Sequence, residues 1–181
     1  REINEDIDRL VSQLFLYSKL DLEGVPMEMR PIRLDEFVAG FVEEAALDSR
    51  TRGLEITAEQ LTPVTVSADP EQLRRVLSNI LENSIKYGFQ KKPHIHIRVR
   101  GWLGEDALYF TVEDNGGGVD ETMLEQLRDT LRSDEVNIEH NGLQNINRRI
   151  WLGYGGDSGL TIDSTEGEGF TVKLKLRLGG M

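Results

Sequence analysis

The chain has 181 residues, of which 38% are hydrophobic, with 18 glycines against five prolines; that supports one cored domain with an appendage and tight turns rather than a disordered tail. No apolar run approaches the roughly 20 residues that span a bilayer, no secretory signal is visible, and the lack of cysteine excludes a disulfide framework and a thiolate metal site. The formal net charge is −11 and the 21 Lys and Arg residues form no long run, which argues against nucleic-acid binding and means that a polyphosphate ligand would need a divalent cation and backbone N–H donors.

In chain order, residues 2–22 are predicted helical. Ile3, Ile7, Leu10, Leu14 and Tyr17 recur at alternating spacings of four and three, a coiled-coil-type seam that Leu16 and Leu20 widen. Such a face needs a partner helix, and because the pattern starts without a cap, a preceding segment is expected. Asp21 to Gly24 closes the helix, and Pro26 to Pro31 reads as an extended linker. Asp35 is the expected N-cap of a helix reaching about Thr51, with Phe37, Val38, Phe41, Val42 and Ala45 on its apolar face. Residues 54–57 and 64–67 read as strands, and Asp69-Pro70 opens the next helix as a cap followed by proline at the first position.

That helix carries the densest information in the chain. Residues 74–87 read Arg-Arg-Val-Leu-Ser-Asn-Ile-Leu-Glu-Asn-Ser-Ile-Lys-Tyr. Asn79 and Asn83 are four apart, so they share a helix face beside the apolar stripe of Val76, Leu77, Ile80, Leu81 and Ile85. Neutral amides next to a buried stripe are costly without partners, and their carbonyl oxygens suit a hard cation. Residues 94–100 alternate with period two as a strand with one wet face. His94 and His96 share that face with no third ligand in reach, so they read as a solvated strand rather than a metal pair. Residues 101–106 are a turn and 107–113 a strand that delivers Asp114 ahead of Asn115 and three glycines, Gly116 to Gly118. A helix over 120–132, a polar loop over 133–141, a helix over 142–152 and strands over 160–164 and 170–178 complete the chain. The order αββαββααββ predicts an α+β, two-layer sandwich: a mixed, mostly antiparallel sheet with helices on one face, preceded by the coiled-coil-type helix.

Together these segments resemble the ATP-binding catalytic domain of sensor histidine kinases, within the GHKL ATPase superfamily. The asparagine helix matches the N box, Asp114-Asn115-Gly116-Gly117-Gly118 the first glycine box, and Gly167-Glu168-Gly169-Phe170-Thr171 the last glycine motif. His140-Asn141-Gly142-Leu143-Gln144-Asn145 matches the second glycine box imperfectly. One box is weak, whereas four in order are specific. The resemblance covers about residues 34–178, and residues 2–22 are similar to the second helix of the dimerisation and phosphotransfer hairpin. The implied domains are 1–24, a partial hairpin helix; 25–33, a linker; and 34–178, the catalytic domain.

The resemblance implies ATP and Mg²⁺ as ligands, with Asn83 on the metal and Asn79 and Lys86 as catalytic groups. Asn79 stands where hydrolytic relatives carry a glutamate; an amide cannot serve as that base, which favours transfer to a protein acceptor over hydrolysis. Lys86 would meet phosphate oxygens and Tyr87 would lie against the nucleotide. Asp114 would accept the adenine N–H, with Gly116 and Gly118 letting the backbone approach the base. Gly142 and Leu143 would hold phosphates at a helix start, and Thr171 would anchor the adenine. The implied reaction passes the γ-phosphate to a kinase histidine on a helix outside this chain and then to a response regulator, in a two-component system. The implied setting is a homodimer through the hairpin, in the cytoplasmic part of a membrane-bound sensor, with no nucleic-acid or direct membrane contact by this part.

Three departures from the pattern stand out. His140 replaces the first glycine of the second box. No Phe lies between Asp114 and Gly169, so the aromatic lid motif is absent, and Gly142 to Arg149 looks like the branch whose lid runs straight into an Asn- and Arg-bearing helix. No phosphoacceptor histidine is visible. Two other functions are open at this level: a GHKL serine kinase of anti-sigma type, against which the 2–22 seam argues, and a degenerate nucleotide-binding interaction module, which His140 favours. A purely structural interaction domain would have no nucleotide affinity.

Overall fold

A computed structural model describes residues 27–49, 53–89, 92–133 and 142–178. The expected seam helix at 2–22, and His140 in the expected loop, lie outside the described residues. The elements are β1 (Arg30–Arg33), α1 (Leu34–Ser49), β2 (Leu54–Glu59), β3 (Thr65–Ala68), α2 (Pro70–Gly88), β4 (Ile95–Leu103), β5 (Ala107–Asp114), α3 (Glu121–Arg132), α4 (Gly142–Tyr154), β6 (Gly159–Thr165) and β7 (Gly169–Arg177). Five strands form one sheet in the order β2-β4-β5-β7-β6. Only β2 and β4 run parallel; the other pairs are antiparallel. The fold is the expected α+β sandwich with a mixed sheet.

Strand alternation decides which side the helices cover. Ile95, Ile97 and Val99 of β4, Leu108, Phe110 and Val112 of β5, and Val172, Leu174 and Leu176 of β7 are all buried. Against them pack Val38 and Phe41 of α1, Leu73, Leu77 and Ile80 of α2, Leu124 of α3, and Ile146 and Ile150 of α4. Each such fully buried side chain contributes about 1.5–3 kcal/mol of transfer free energy. The intervening strand residues, His96, Arg98, Arg100, Trp102, Tyr109, Thr111, Glu113 and Lys173, stay partly or fully exposed on the outer face.

α2 is fixed at its start as expected. Asp69 is its N-cap, with Oδ1 accepting from the N–H groups of Glu71 and Gln72 at 3.0 Å each. A cap of this kind is worth about 1 kcal/mol. The other oxygen, Oδ2, accepts from the Glu28 N–H at 2.9 Å, tying the segment ahead of β1 to the base of α2.

Three local expectations change. Residues 30–33 are extended, as a linker would be, but they pair antiparallel with β3, with Pro31 opposite Ser67; proline is tolerated on such a ribbon edge. Asp35 is not an N-cap, because α1 begins one residue earlier at Leu34, whose N–H bonds Val64 O at 2.9 Å. The Asp35 carboxylate instead accepts from the Arg33 guanidinium at 3.0 and 2.8 Å. Gly101 is not in a turn but inside β4. A Cβ there would lie 3.2 Å from Val38 and 3.3 Å from the Phe110 ring, so this glycine marks a close packing contact, and the turn shrinks to residues 104–106.

Candidate functional site

The C-terminal half of α2 organises the site. Its buried stripe, Leu73, Val76, Leu77, Ile80, Leu81, Ser84 and Gly88, turns toward the sheet. Asn79 and Asn83 sit half-buried on its flank, one turn apart. Among the described residues no hydrogen bond engages either carboxamide. Gly142, the first residue of α4, lies against Asn83: a Cβ on it would stand 3.1 Å from the amide nitrogen. Leu143 follows, half-buried and packed on the core. The asparagine helix and the start of the second glycine segment are therefore neighbours.

Asp114 ends β5 with only 5% of its surface exposed. Its Oδ1 accepts from the Gly116 N–H at 2.9 Å. Burial pushes its pKa above the ordinary value of 3.8; the bonds from Gly116, Ser84 and Phe170 and the charge of Lys92 oppose that rise without cancelling it. A Cβ on Gly116 would come within 2.7 Å of both Asp114 Oδ1 and Gly88 Cα, so the ends of β5 and α2 meet with no room for a side chain.

The glycine run is clamped from its other side by the β6–β7 hairpin. Gly118 has φ +56°, and a Cβ on it would lie 2.3 Å from Thr165 O. Gly167 N–H donates to Gly117 O at 2.8 Å. The Ser164 hydroxyl donates to Gly169 O at 2.8 Å and accepts from the Val119 N–H at 2.9 Å. The last glycine motif thus holds the first in place.

The other expected residues divide. Lys86 and Tyr87 are both exposed at the end of α2, with the lysine Nζ 5.3 Å from the tyrosine ring centroid, a cation–π distance. Thr171 does not join the group. The register pairs Thr171 with Glu113 and Phe170 with Asp114, so Thr171 projects to the outer face and Phe170 holds the position beside the carboxylate. Counting back by twos from buried Leu176, Leu174 and Val172 would have shown this. Sequence reasoning also passed over Ser84 and Gly88, whose signal was a hydroxyl and a glycine at core positions of an apolar stripe.

Two hollows lie away from Asn83. One, about 410 Å³, is bounded by Arg132, Asn147, Trp151, Thr161 and Lys175 between α3, α4 and β6. The other, about 380 Å³, is bounded by Gly53, Glu55, His94, His96 and Asn115. Neither is lined by Asn83 or Asp114. His96 Nε2 lies 2.8 Å from the Thr57 hydroxyl. Among the described residues no group of three His, Cys, Asp or Glu could hold a metal.

The family model for histidine kinase-, DNA gyrase B- and HSP90-like ATPases matches residues 68–180. The chain belongs to that family. The aerobic respiration control sensor protein ArcB of Escherichia coli K12 is 29% identical over 167 residues, 87% of this chain and 21% of ArcB. The methanogenesis regulatory histidine kinase FilI of Methanothrix harundinacea is 33% identical over 144 residues, 78% of this chain and 16% of FilI. The chain thus spans about a fifth of the length of these curated relatives. Among solved structures, the catalytic domain of histidine kinase ThkA superposes with a TM-score of 0.66 at 16% identity, covering 84% of this chain and 97% of that one. Full-length ShkA in complex with AMPPNP gives 0.77 at 19%, covering all of this chain and 38% of ShkA. The likeness to the solved structures is one of fold. No helix among the described residues is long and apolar enough to cross a membrane.

Proposed function

We propose that this chain is the ATP-binding part of a sensor histidine kinase, which binds ATP with Mg²⁺ and passes the γ-phosphate to a histidine of the kinase. The observation that carries this reading is the meeting of Asn83, Gly142 and, through Gly88 and Gly116, Asp114 at the C-terminal half of α2. Asp114, as a buried acceptor, would take the exocyclic N–H of adenine, a bond worth about 1.5–3 kcal/mol when one partner is charged. In this reading Gly116 and Gly118 let the loop backbone pack against Asp114 and the β6–β7 hairpin beside the base. Asn83 would hold Mg²⁺ through its carboxamide oxygen; a single protein oxygen fits an ion that takes its remaining ligands from phosphates and water. When bound, that ion neutralises charge on the triphosphate oxygens.

In this reading Gly142, which lies against Asn83, and Leu143 would offer the N–H groups of the α4 start to phosphate oxygens. Asn79 presents an amide, which cannot take a proton from water, so the reading favours a protein acceptor. Lys86 reaches phosphate in this reading by leaving the Tyr87 ring, and Tyr87 then covers the nucleotide. The adenine-anchoring role considered for Thr171 is not carried forward, because its register puts it on the outer face.

The wider setting extends the same proposal. Relatives with matching sequence carry names of sensor proteins and histidine kinases, and ThkA has been solved in complex with the response regulator TrrA. For this chain that supports a response regulator as the onward acceptor, dimerisation through the hairpin, and a place on the cytoplasmic side of a membrane-bound sensor. The test has two stages: Mg²⁺-dependent ATP binding by the chain, then phosphoryl transfer to a supplied hairpin bearing a histidine. Binding and transfer together support the reading. Binding without transfer would point to an interaction module, transfer to a serine substrate to an anti-sigma type kinase, and absence of any nucleotide affinity would remove the site altogether.

A further inference from the structure

Two carboxamides on α4 tie that helix to its neighbours. The Gln144 amide donates to Ser133 O at 2.9 Å, and the Asn147 amide donates to Leu131 O at 3.0 Å. Both carbonyls belong to the end of α3, with Ser133 as its C-cap, where the helix itself supplies no N–H partner. Asn147 also accepts: its Oδ1 takes the Leu160 N–H at 2.7 Å. Leu160 lies on β6, an edge strand of the sheet, so the bond occupies an N–H that no neighbouring strand takes. A Cβ on Gly159 would stand 2.7 Å from the same Oδ1, so the carboxamide fills space that a side chain would need. One residue thus joins α3, α4 and β6, and Gln144, three positions earlier, acts on the same helix face.

The apolar anchors of α4, Ile146 and Ile150, are buried and hold it on the sheet. Apolar burial is non-directional, so it resists withdrawal of the helix more than sliding or rolling. Hydrogen bonds weaken steeply with angle and distance, so the two carboxamides fix the axial position of α4. That position decides where Gly142 stands, and a Cβ on Gly142 would lie 3.1 Å from the Asn83 amide nitrogen. Asn147 itself borders the hollow of about 410 Å³, away from Asn83. We propose that Asn147, helped by Gln144, is a positioning residue that aligns the start of α4 with Asn83 and so sets the hold on the nucleotide phosphates without touching them. The inference rests on the nucleotide reading above and deepens it. Misplacing a binding group by about 1 Å can cost up to about a hundredfold, so a clamp outside the site has a measurable effect within it.

The test measures Mg-ATP and adenosine affinity by calorimetry on the whole chain, on Asn147→Ala and on Gln144→Met, with circular dichroism confirming the fold. Adenosine carries the base without phosphates, so it does not draw on the α4 start. Asn147→Ala is expected to weaken Mg-ATP binding about tenfold, the effect of one hydrogen bond to a charged group, and to leave adenosine within about twofold of wild type. Gln144→Met nearly keeps the side-chain volume and leaves both Asn147 bonds in place; it should move the ATP to adenosine ratio in the same direction by less, and it decides the question if Asn147→Ala does not fold. A clamp that only adds stability would lower the unfolding midpoint and leave that ratio as in wild type. An unchanged ratio in the folded variants, or an equal loss of both ligands, would overturn the proposal while the nucleotide reading stands. A wild-type chain that binds neither ligand would instead remove the nucleotide reading, and this inference with it.

Discussion

The outer face of the sheet and the end where α2 meets β5 are both rich in polar side chains, yet they differ in how those side chains are occupied. On the outer face Arg98 pairs with Glu113, and Arg100 reaches Glu113 at 3.2 Å and Glu59 at 3.3 Å. Trp102 and Tyr109 stack with centroids 5.5 Å apart, and Lys173 lies 5.0 Å from the tyrosine ring and 5.8 Å from the indole. Arg177 meets Asp157 at 2.6 Å. Charge there is largely satisfied within the fold. At the other end two half-buried carboxamides have no hydrogen-bond partner among the described residues, and a buried carboxylate has its place fixed by backbone that admits no side chain. Both regions leave polar atoms unbonded, Arg100 Nε and Thr111 Oγ1 on the outer face among them; what distinguishes the proposed nucleotide region is neutral carboxamides near a buried carboxylate in place of ion pairs.

Breaking the frame should have the largest effect. A Cβ on Gly169, which has φ +153°, would lie 1.9 Å from Asp114 O. Gly169→Ala is therefore expected to cost about 3 kcal/mol or more in denaturant unfolding, combining backbone strain with steric overlap. A loss below about 1 kcal/mol would mean that the clamp yields easily.

Removing the acceptor comes next. Asp114→Ala should reduce ATP affinity by up to about a hundredfold, the upper value for a charged hydrogen bond, while retained affinity would count against the pocket. The same residue links pH to both properties. Its folded pKa lies above 3.8 because of burial, so as pH falls through that raised value the native state takes up a proton before the unfolded chain does. Its contribution to stability then rises on acidification, while ATP affinity falls. Comparing wild type with Asp114→Asn by thermal unfolding and calorimetry checks both signs; if the two trends ran in the same direction, the assignment would be wrong.

Asn83→Ala should separate metal from fold. It is expected to remove the gain in ATP affinity on adding Mg²⁺ while changing unfolding free energy by less than about 0.5 kcal/mol, as for a side chain with no hydrogen-bond partner among the described residues. Binding that still rises with Mg²⁺ as in wild type would remove the ligand role. The smallest effect is expected on the outer face. Glu113→Gln breaks pairs that are part-exposed, so it should cost about 1 kcal/mol at most and leave ATP affinity unchanged. A large change in affinity would erase the contrast between the two regions.

Much of this was legible in the sequence because it depends on local rules. Asp69-Pro70 announced the start of α2, period-two alternation found β4 and β5, and the Asn79 to Asn83 spacing placed both amides on one face. What escaped depends on contacts between distant segments. Gly101 looks like a turn residue until Val38 and Phe110 are seen to close over it. Arg30–Arg33 becomes a strand only because β3 lies alongside. Thr171 was misplaced because a glycine motif gives the order of residues but not the pleat, which the register with β5 decides. Gly88 could be read as part of the buried stripe, but its meeting with Gly116 beside Asp114 required the packing of α2 on the sheet.

The most direct measurement is a crystal structure of the chain with Mg²⁺ and a non-hydrolysable ATP analogue. The expected result places the adenine amine within hydrogen-bonding distance of Asp114 and the Asn83 oxygen on the metal. A nucleotide bound with neither contact, in either hollow or on the outer face of the sheet, would contradict the account.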